Sequence, residues 1–222
     1  PREIKTLYLT FDDGPTPGVT ERVLDLLDEY SAKATFFCLG QQTVRFPQLL
    51  RKILAAGHSI GNHGHRHLND WQTSPNHYMA DVSEAAQVLH AECGFRSRLF
   101  RPPFGRLRWD VMLRLYRDYK IVMWDSLSMD YRPDLHSEQV TRNVVSSADS
   151  GSIILWHDSE LAAAHLWTSL PKVLQHFSAA GFNFLESLTE DQINLFCRQI
   201  DPWAVRQQRH LLAVMLDGMI RE

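Results

Sequence analysis

The stretch TLYLTFDDGP, residues 6–15, joins an apolar, β-branched run to two adjacent acids and a Gly-Pro turn. The run predicts a buried strand over residues 6–11, because it is short, rich in β-branched and aromatic side chains, and bounded by turn residues. Asp12 and Asp13 would then stand at the carboxyl end of this strand. One of them could bind a metal ion while the other acts as a base; alternatively, Asp-Asp-Gly-Pro serves only as turn chemistry.

Similar short runs alternate with segments of helical periodicity along nearly the whole chain. Strands are predicted over residues 6–11, 34–40, 58–61, 99–102, 121–124, 152–156 and 182–185, and helices near residues 18–31, 43–56, 76–92, 107–118, 137–148 and 165–180. This alternation predicts a mostly parallel sheet, since each crossover helix returns the chain to the same edge. Periodicity alone leaves open a closed or nearly closed barrel and a doubly wound open sheet.

Length and composition fit one α/β domain with a large core. The chain has 222 residues, 44% of them hydrophobic, and 23 Lys and Arg against 26 Asp and Glu give a net charge of -3. This balance argues against a nucleic-acid partner and favours a neutral substrate. No apolar run predicts a membrane span, and the first 30 residues lack a signal-peptide pattern. Three cysteines, Cys38, Cys93 and Cys197, are too few and too widely spaced for a disulfide framework or a zinc ribbon.

A histidine pair follows the third predicted strand, in the segment GNHGHRH, residues 61–67. If this segment forms one helical turn, His63 and His67 face the same point and His65 points elsewhere. Zinc sites combine such a pair with a carboxylate and leave the fourth position for water. A structural or surface role for each histidine is the alternative. Beside the Asp-Asp turn, the pair predicts a metal site, and Gly64 would supply backbone freedom.

Further ionisable residues end the later strands. Arg101 ends the fourth strand, Asp125 the fifth and His157 the sixth. The loops that follow the strands form the active face of a parallel barrel, so these residues should converge. His157 is a candidate general acid, since imidazole exchanges a proton near neutral pH. Arg101 begins the stiff segment RPPFG, in which the Phe104 amide could hold an oxyanion. The alternatives are a core histidine and an ordinary loop.

Taken together, these motifs resemble the NodB-like polysaccharide deacetylases, carbohydrate esterase family 4, over about residues 6–187. Five sequence blocks occur in the family's order and with fitting spacing, at residues 10–15, 63–67, 101–105, 124–131 and 155–157. One block is a weak signal, whereas five in order are specific. The resemblance implies an α/β fold, a distorted (β/α)7 or (β/α)8 barrel over residues 1–188. A helical C-terminal extension over residues 189–222 would pack on the barrel, with a dimer contact as the alternative to a monomer.

The resemblance also implies the roles of the central residues. One divalent ion, zinc first with cobalt and manganese as alternatives, would bind to Asp13, His63 and His67. Asp12 would be the general base and His157 the general acid.

Supporting roles follow from the same resemblance. Arg101 would tune Asp12, and Asp130 would be the partner of His157. The walls of the acetyl pocket and its oxyanion donor would be supplied by Trp124, Leu155, Tyr131 and the backbone amide of Phe104.

The implied activity is removal of N-acetyl groups from an amino-sugar polymer such as peptidoglycan or a chitin-like glycan, in an extracytoplasmic location. An O-acetyl ester such as acetylated xylan is an alternative substrate. A metal- and glycan-binding protein without catalysis is another reading, against which Asp12 and His157 speak. Three positions depart from the family pattern: Gly64, where a Ser or Thr usually braces the ligand loop, Phe104, where Tyr is frequent, and Tyr131, where Trp is common.

Overall fold

The computed structural model describes residues 5–185, in which parallel strands alternate with helices. The strands are β1 Thr6–Asp12, β2 Ala34–Cys38, β3 Ser59–Asn62, β4 Leu99–Phe100, β5 Lys120–Ile121, β6 Ser126–Leu127, β7 Ile153–His157 and β8 Asn183–Phe184. The helices are α1 Val19–Glu29, α2 Gly40–Arg45, α3 Pro47–Ala55, α4 Pro75–Cys93, α5 Trp109–Leu115, α6 Ser137–Ser147 and α7 Ala163–Ala179. The extension predicted over residues 189–222 lies outside the described residues.

The strands form one parallel sheet in the order β5-β4-β3-β2-β1-β7-β6, and β8 pairs with the start of β1. β5 and β6 follow each other in the chain, but within residues 5–185 no ladder joins them, so the barrel is open on that side. The predicted distorted α/β barrel is thereby confirmed. Its register aligns Asp12 of β1 with His157 of β7, so two of the predicted site residues end neighbouring strands.

The core lies between the sheet and the helices that cover it. All seven residues of β1 are buried, which explains the apolar run that begins the chain. Leu9 and Phe11 belong to one cluster with Val23 of α1 and Leu170 of α7. Burial of each such side chain stabilises the fold by roughly 1.5–3 kcal/mol relative to exposure. In the described part of the chain, no helix is long and apolar enough to cross a membrane.

Two of the differences between the prediction and the structure have clear physical reasons. The helix predicted over residues 43–56 is divided into α2 and α3, because Phe46 has φ −134° and ψ 55° and Pro47 begins the second helix. The strand β6 was not predicted, since two residues are too few to show an alternating pattern. The predicted fifth strand and the helix near residues 107–118 are also shorter than expected, at Lys120–Ile121 and Trp109–Leu115.

Candidate active site

Asp13, His63 and His67 each offer one ligand atom, and these atoms lie within 4.8 Å of one another. Asp13 Oδ1 is 3.6 Å from His63 Nε2 and 3.4 Å from His67 Nε2. This oxygen is buried and has no hydrogen-bond partner, which is unusual for a buried carboxylate, and a bound cation would satisfy it. Two imidazoles and one carboxylate are a donor set that suits zinc. The residues present therefore fit a divalent ion.

A second contact fixes which nitrogen of His63 faces the site. Its Nδ1 is 2.8 Å from the carbonyl oxygen of Arg101. Because a carbonyl only accepts, Nδ1 carries the proton, and the lone pair of Nε2 is directed at Asp13. Burial lowers the pKa of His67, with a further contribution from His63. His67 is thus suited to bind a metal as a neutral ligand, and the tautomer of His63 leaves Nε2 available for the same ion.

The segment between the two histidines is not the helical turn that the sequence predicted. Gly64 has φ +79° and His67 has φ +57°, both in the left-handed region. Glycine adopts this conformation without steric cost, whereas a histidine there is uncommon and strained. The pair is therefore brought together by an irregular loop. His65 points elsewhere, with Nε2 3.4 Å from Glu84 Oε1.

Asp12 lies at the carboxyl end of β1, where it faces both Arg101 and the candidate metal ligand His63. Its Oδ1 accepts a hydrogen bond of 2.8 Å from Arg101 Nη1, and its Oδ2 is 3.6 Å from His63 Nε2. Arg101 is fully buried, and its Nε and Nη2 donate to the carbonyls of Val122 and Met123 at 3.0 and 3.1 Å. These carbonyls fix the guanidinium, so its hydrogen bond holds the Asp12 side chain in a defined position.

His157, at the end of β7, is oriented by a buried carboxylate. Its Nδ1 is 2.8 Å from Asp130 Oδ1, and its backbone N–H donates to Asp130 Oδ2 at 2.8 Å. The Ser128 hydroxyl donates to the same carboxylate at 2.9 Å. Burial by itself lowers the pKa of His157, but attraction to Asp130 and the hydrogen bond between them raise it to about 9. At neutral pH the imidazole is therefore protonated and can give up a proton.

A cavity of about 410 Å³ opens beside these charged groups. Most of its wall is apolar and is formed by Phe104, Trp124, Leu127, Tyr131, Leu155 and Leu161. The Phe104 ring lies 4.5 Å from the His67 ring, and the Tyr131 ring meets His157 edge-on at 5.1 Å, centroid to centroid. The three side chains predicted to line the acetyl pocket, Trp124, Leu155 and Tyr131, all lie on this wall, together with Phe104. The sequence reasoning missed the leucines at 127 and 161, which carry no motif.

The comparisons with known proteins agree with this geometry. A family model described as polysaccharide deacetylase matches residues 1–124. The chain belongs to the polysaccharide deacetylases. This is the NodB-like family, carbohydrate esterase family 4, that the five sequence blocks resemble.

Individual members of the polysaccharide deacetylase family show the extent of the likeness. Two Bacillus cereus proteins named peptidoglycan-N-acetylglucosamine deacetylase are 31% and 34% identical, over 80% and 83% of this chain. The chain spans 65% of the first relative's length and 87% of the second's. The solved structure of peptidoglycan deacetylase PdaC from Bacillus subtilis has a TM-score of 0.77 at 26% identity, covering 93% of this chain and 98% of that one.

In this polysaccharide deacetylase, the residue after His157 is a second buried acid that sequence reasoning missed. Asp158 Oδ1 accepts from the Gly14 N–H at 3.0 Å, and its Oδ2 accepts from the Thr20 hydroxyl at 2.6 Å. A Cβ on Gly14 would lie 2.0 Å from this carboxylate, so only glycine fits after Asp13. Burial raises the pKa of Asp158 to about 8, against the hydrogen bond from Thr20. Its one signal in the sequence is its place next to His157.

Asp125, in contrast, lies away from the site. It accepts from the hydroxyl of Ser152 and from the N–H of Ile153, both at 2.6 Å. It therefore joins the start of β7 to the segment before β6. The carboxylate that orients a histidine in this part of the chain is Asp130.

Proposed function

We propose that this polysaccharide deacetylase hydrolyses N-acetyl groups of an amino-sugar polymer, with peptidoglycan as the first substrate, and that it needs one divalent metal ion, zinc first. The observation that carries the proposal is that three residues able to hold a metal ion, a further carboxylate and a protonated histidine all lie at one apolar cavity. Asp12, Asp13, His63, His67 and His157 all line that cavity. The names of the two Bacillus cereus relatives support peptidoglycan as the substrate. A peptidoglycan substrate would also put the site of action outside the cytoplasm.

The metal ion would be held by Asp13, His63 and His67. When bound there, it polarises the acetyl carbonyl and lowers the pKa of a water molecule. Cobalt and manganese bind similar donor sets, so the ion used depends on supply as well as on affinity. The free Asp13 Oδ1 and the fixed tautomer of His63 are the two features that support this assignment.

The proton transfers would be carried out by the two residues that end β1 and β7. Asp12 accepts a proton from the attacking water as the water oxygen bonds to the acetyl carbon. His157, protonated at neutral pH, then donates its proton to the amide nitrogen. The carbon–nitrogen bond breaks, acetate departs, and the sugar keeps a free amine. Arg101 keeps Asp12 in place, and Asp130 keeps His157 in place and charged.

The acetyl group would enter the apolar cavity. Its methyl would pack against Trp124 and Leu155, and the backbone amide of Phe104 would donate to the developing oxyanion. Phe104 has φ +61°, a left-handed conformation that is uncommon for an aromatic residue and typical of functional loops. Tyr131 would form the wall next to His157.

Acetate release from chelated protein tests the proposal. The protein is given zinc, cobalt or manganese, and each form is offered peptidoglycan free of O-acetyl groups, N-acetylglucosamine oligomers and acetylated xylan. We expect metal-dependent release from peptidoglycan, and release slower by about 10²–10⁴-fold from the Asp12→Asn protein. Release from xylan alone would instead identify an ester hydrolase. Metal binding without release from any substrate would identify a binding protein and contradict the proposal.

A further inference from the structure

Residues 64–66 connect the two histidines proposed as metal ligands, and all three backbone N–H groups of this link donate to side chains. The Gly64 N–H donates to Asn62 Oδ1 at 2.8 Å. The next two donate to one carboxylate: His65 N–H to Asp81 Oδ2 at 2.7 Å, and Arg66 N–H to both Asp81 oxygens at 3.2 and 3.3 Å. The loop conformation therefore depends on a residue that lies more than a dozen positions further along the chain.

The loop carbonyls are bound from the opposite direction. Gly40 N–H donates to the Gly64 carbonyl at 3.0 Å, and Gln41 N–H donates to the His65 carbonyl at 3.1 Å. Both donors lie in the first turn of α2, whose N–H groups lack partners within the helix. The loop is thus held between the start of α2 and Asp81 on α4.

Asp81 is 2% exposed. A buried carboxylate without donors destabilises a fold, and it is tolerated where it accepts several hydrogen bonds. The donors here are the loop's own N–H groups, and Arg66 Nε lies 3.7 Å from Asp81 Oδ1. The charge of Asp81 and the shape of the loop therefore stabilise each other.

The absence of a side chain at Gly64 leaves room for the Asp81 carboxylate beside the loop. A Cβ at position 64 would lie 3.0 Å from Asp81 Oδ2, and the backbone there has φ +79°. Both the contact and the backbone conformation disfavour a side chain. A Ser or Thr, which the family resemblance led us to expect at this position, would make a tight contact with the Asp81 carboxylate.

From this geometry we infer that Asp81 is a positioning residue for metal binding: it fixes the loop 64–66 so that His63 and His67 both face Asp13, in place of a hydroxyl at position 64. The inference rests on the proposed metal site. Removal of the Asp81 carboxylate leaves two backbone donors without an acceptor and frees the loop, so metal affinity should fall in a protein that is still folded.

Zinc affinity tests this inference, measured by competition with a chromophoric chelator for the wild type, Asp81→Asn and Asp81→Ala. Supporting residues of metal sites are commonly worth 10–100-fold in affinity, so we expect roughly this loss for Asp81→Ala and a smaller loss for Asp81→Asn. The matched control is Glu84→Gln. Glu84 lies on the same helix and contacts the same loop, but only through the side chains of His65 and Arg66. It should change zinc affinity less than about threefold.

Melting temperatures of the metal-free proteins and imidazole NMR signals separate positioning from general stability. A positioning role predicts changed His63 and His67 signals and weaker zinc binding at temperatures well below melting. Unchanged zinc affinity with only a lower melting temperature would overturn the inference. If Asp81→Ala does not fold, the isosteric Asp81→Asn decides. Failure of the wild type to bind zinc would instead overturn the metal site of the proposed function.

Discussion

Arg101 Nη1 donates a 2.8 Å hydrogen bond to Asp12 Oδ1, and both side chains are almost fully buried. The same guanidinium binds the carbonyls of Val122 and Met123, in the segment between β5 and β6 where the barrel is open. The Arg101 side chain thus positions the candidate base Asp12 and also holds the backbone of the segment between β5 and β6. Loss of this arginine should therefore affect folding and chemistry together.

Arg101→Met should lower the free energy of unfolding by about 3–5 kcal/mol, because it leaves the Asp12 carboxylate buried without its partner. Urea denaturation of the metal-free protein measures this. The control is Arg96→Met, which removes an exposed ion pair with Asp118 and should change stability by less than about 1 kcal/mol. Equal losses for the two variants would contradict a special role for the buried pair.

Asp12→Asn and His63→Ala should separate proton transfer from metal binding. Asp12→Asn keeps the three proposed metal ligands, so zinc content should stay near that of the wild type while turnover falls by about 10²–10⁴-fold, the usual contribution of a general base. His63→Ala removes a ligand and should lose the metal. Elemental analysis and acetate release measure the two effects. A fully active Asp12→Asn enzyme would refute the assignment of Asp12.

Asp130→Asn should lower the pKa of His157 from about 9, because the negative charge that favours the imidazolium is removed. The folded pKa lies above the ordinary histidine value. Stabilisation by the Asp130 pair is therefore complete below about pH 6.5 and is lost as the pH rises through 9. NMR titration of the metal-free protein measures the pKa. His58, whose pKa burial lowers to about 4, serves as an internal reference that should not move. An unshifted His157 titration would contradict the pairing.

The stability of the Asp158→Asn protein, relative to that of the wild type, should increase as the pH rises. The folded carboxyl keeps its proton up to about pH 8, whereas the unfolded one ionises near pH 3.8. The wild type therefore loses stability between these values, and asparagine does not share this loss. The melting temperature of metal-free Asp158→Asn, relative to the wild type, should be higher at pH 8 than at pH 5. A difference that does not depend on pH would show that Asp158 ionises normally in the folded protein.

The parallel arrangement of the strands and the meeting of distant residues could be predicted because they follow from strong local rules. Asp12 and His157 end buried runs, and parallel strands present their carboxyl ends on one edge. The spacing of His63 and His67 indicated a shared target, but the loop between them could not be predicted. Its left-handed residues follow from contacts with α2 and α4 that no local pattern encodes. For the same reason the roles of Asp81 and Asp158 could not be predicted, since both carboxylates accept hydrogen bonds from backbone N–H groups that are distant in sequence.

Asp12 and His157 are partners in register on adjacent strands, and adjacent strands lie about 4.8 Å apart. The distance between the attachment points of the candidate base and the candidate acid is therefore set by the main-chain ladder. Most of the cavity wall, in contrast, stands on loops beyond the strand ends. Exchange of those loops could therefore change the shape of the cavity while the spacing between Asp12 and His157 stays the same. The same sheet edge could then serve sites with different substrate preferences.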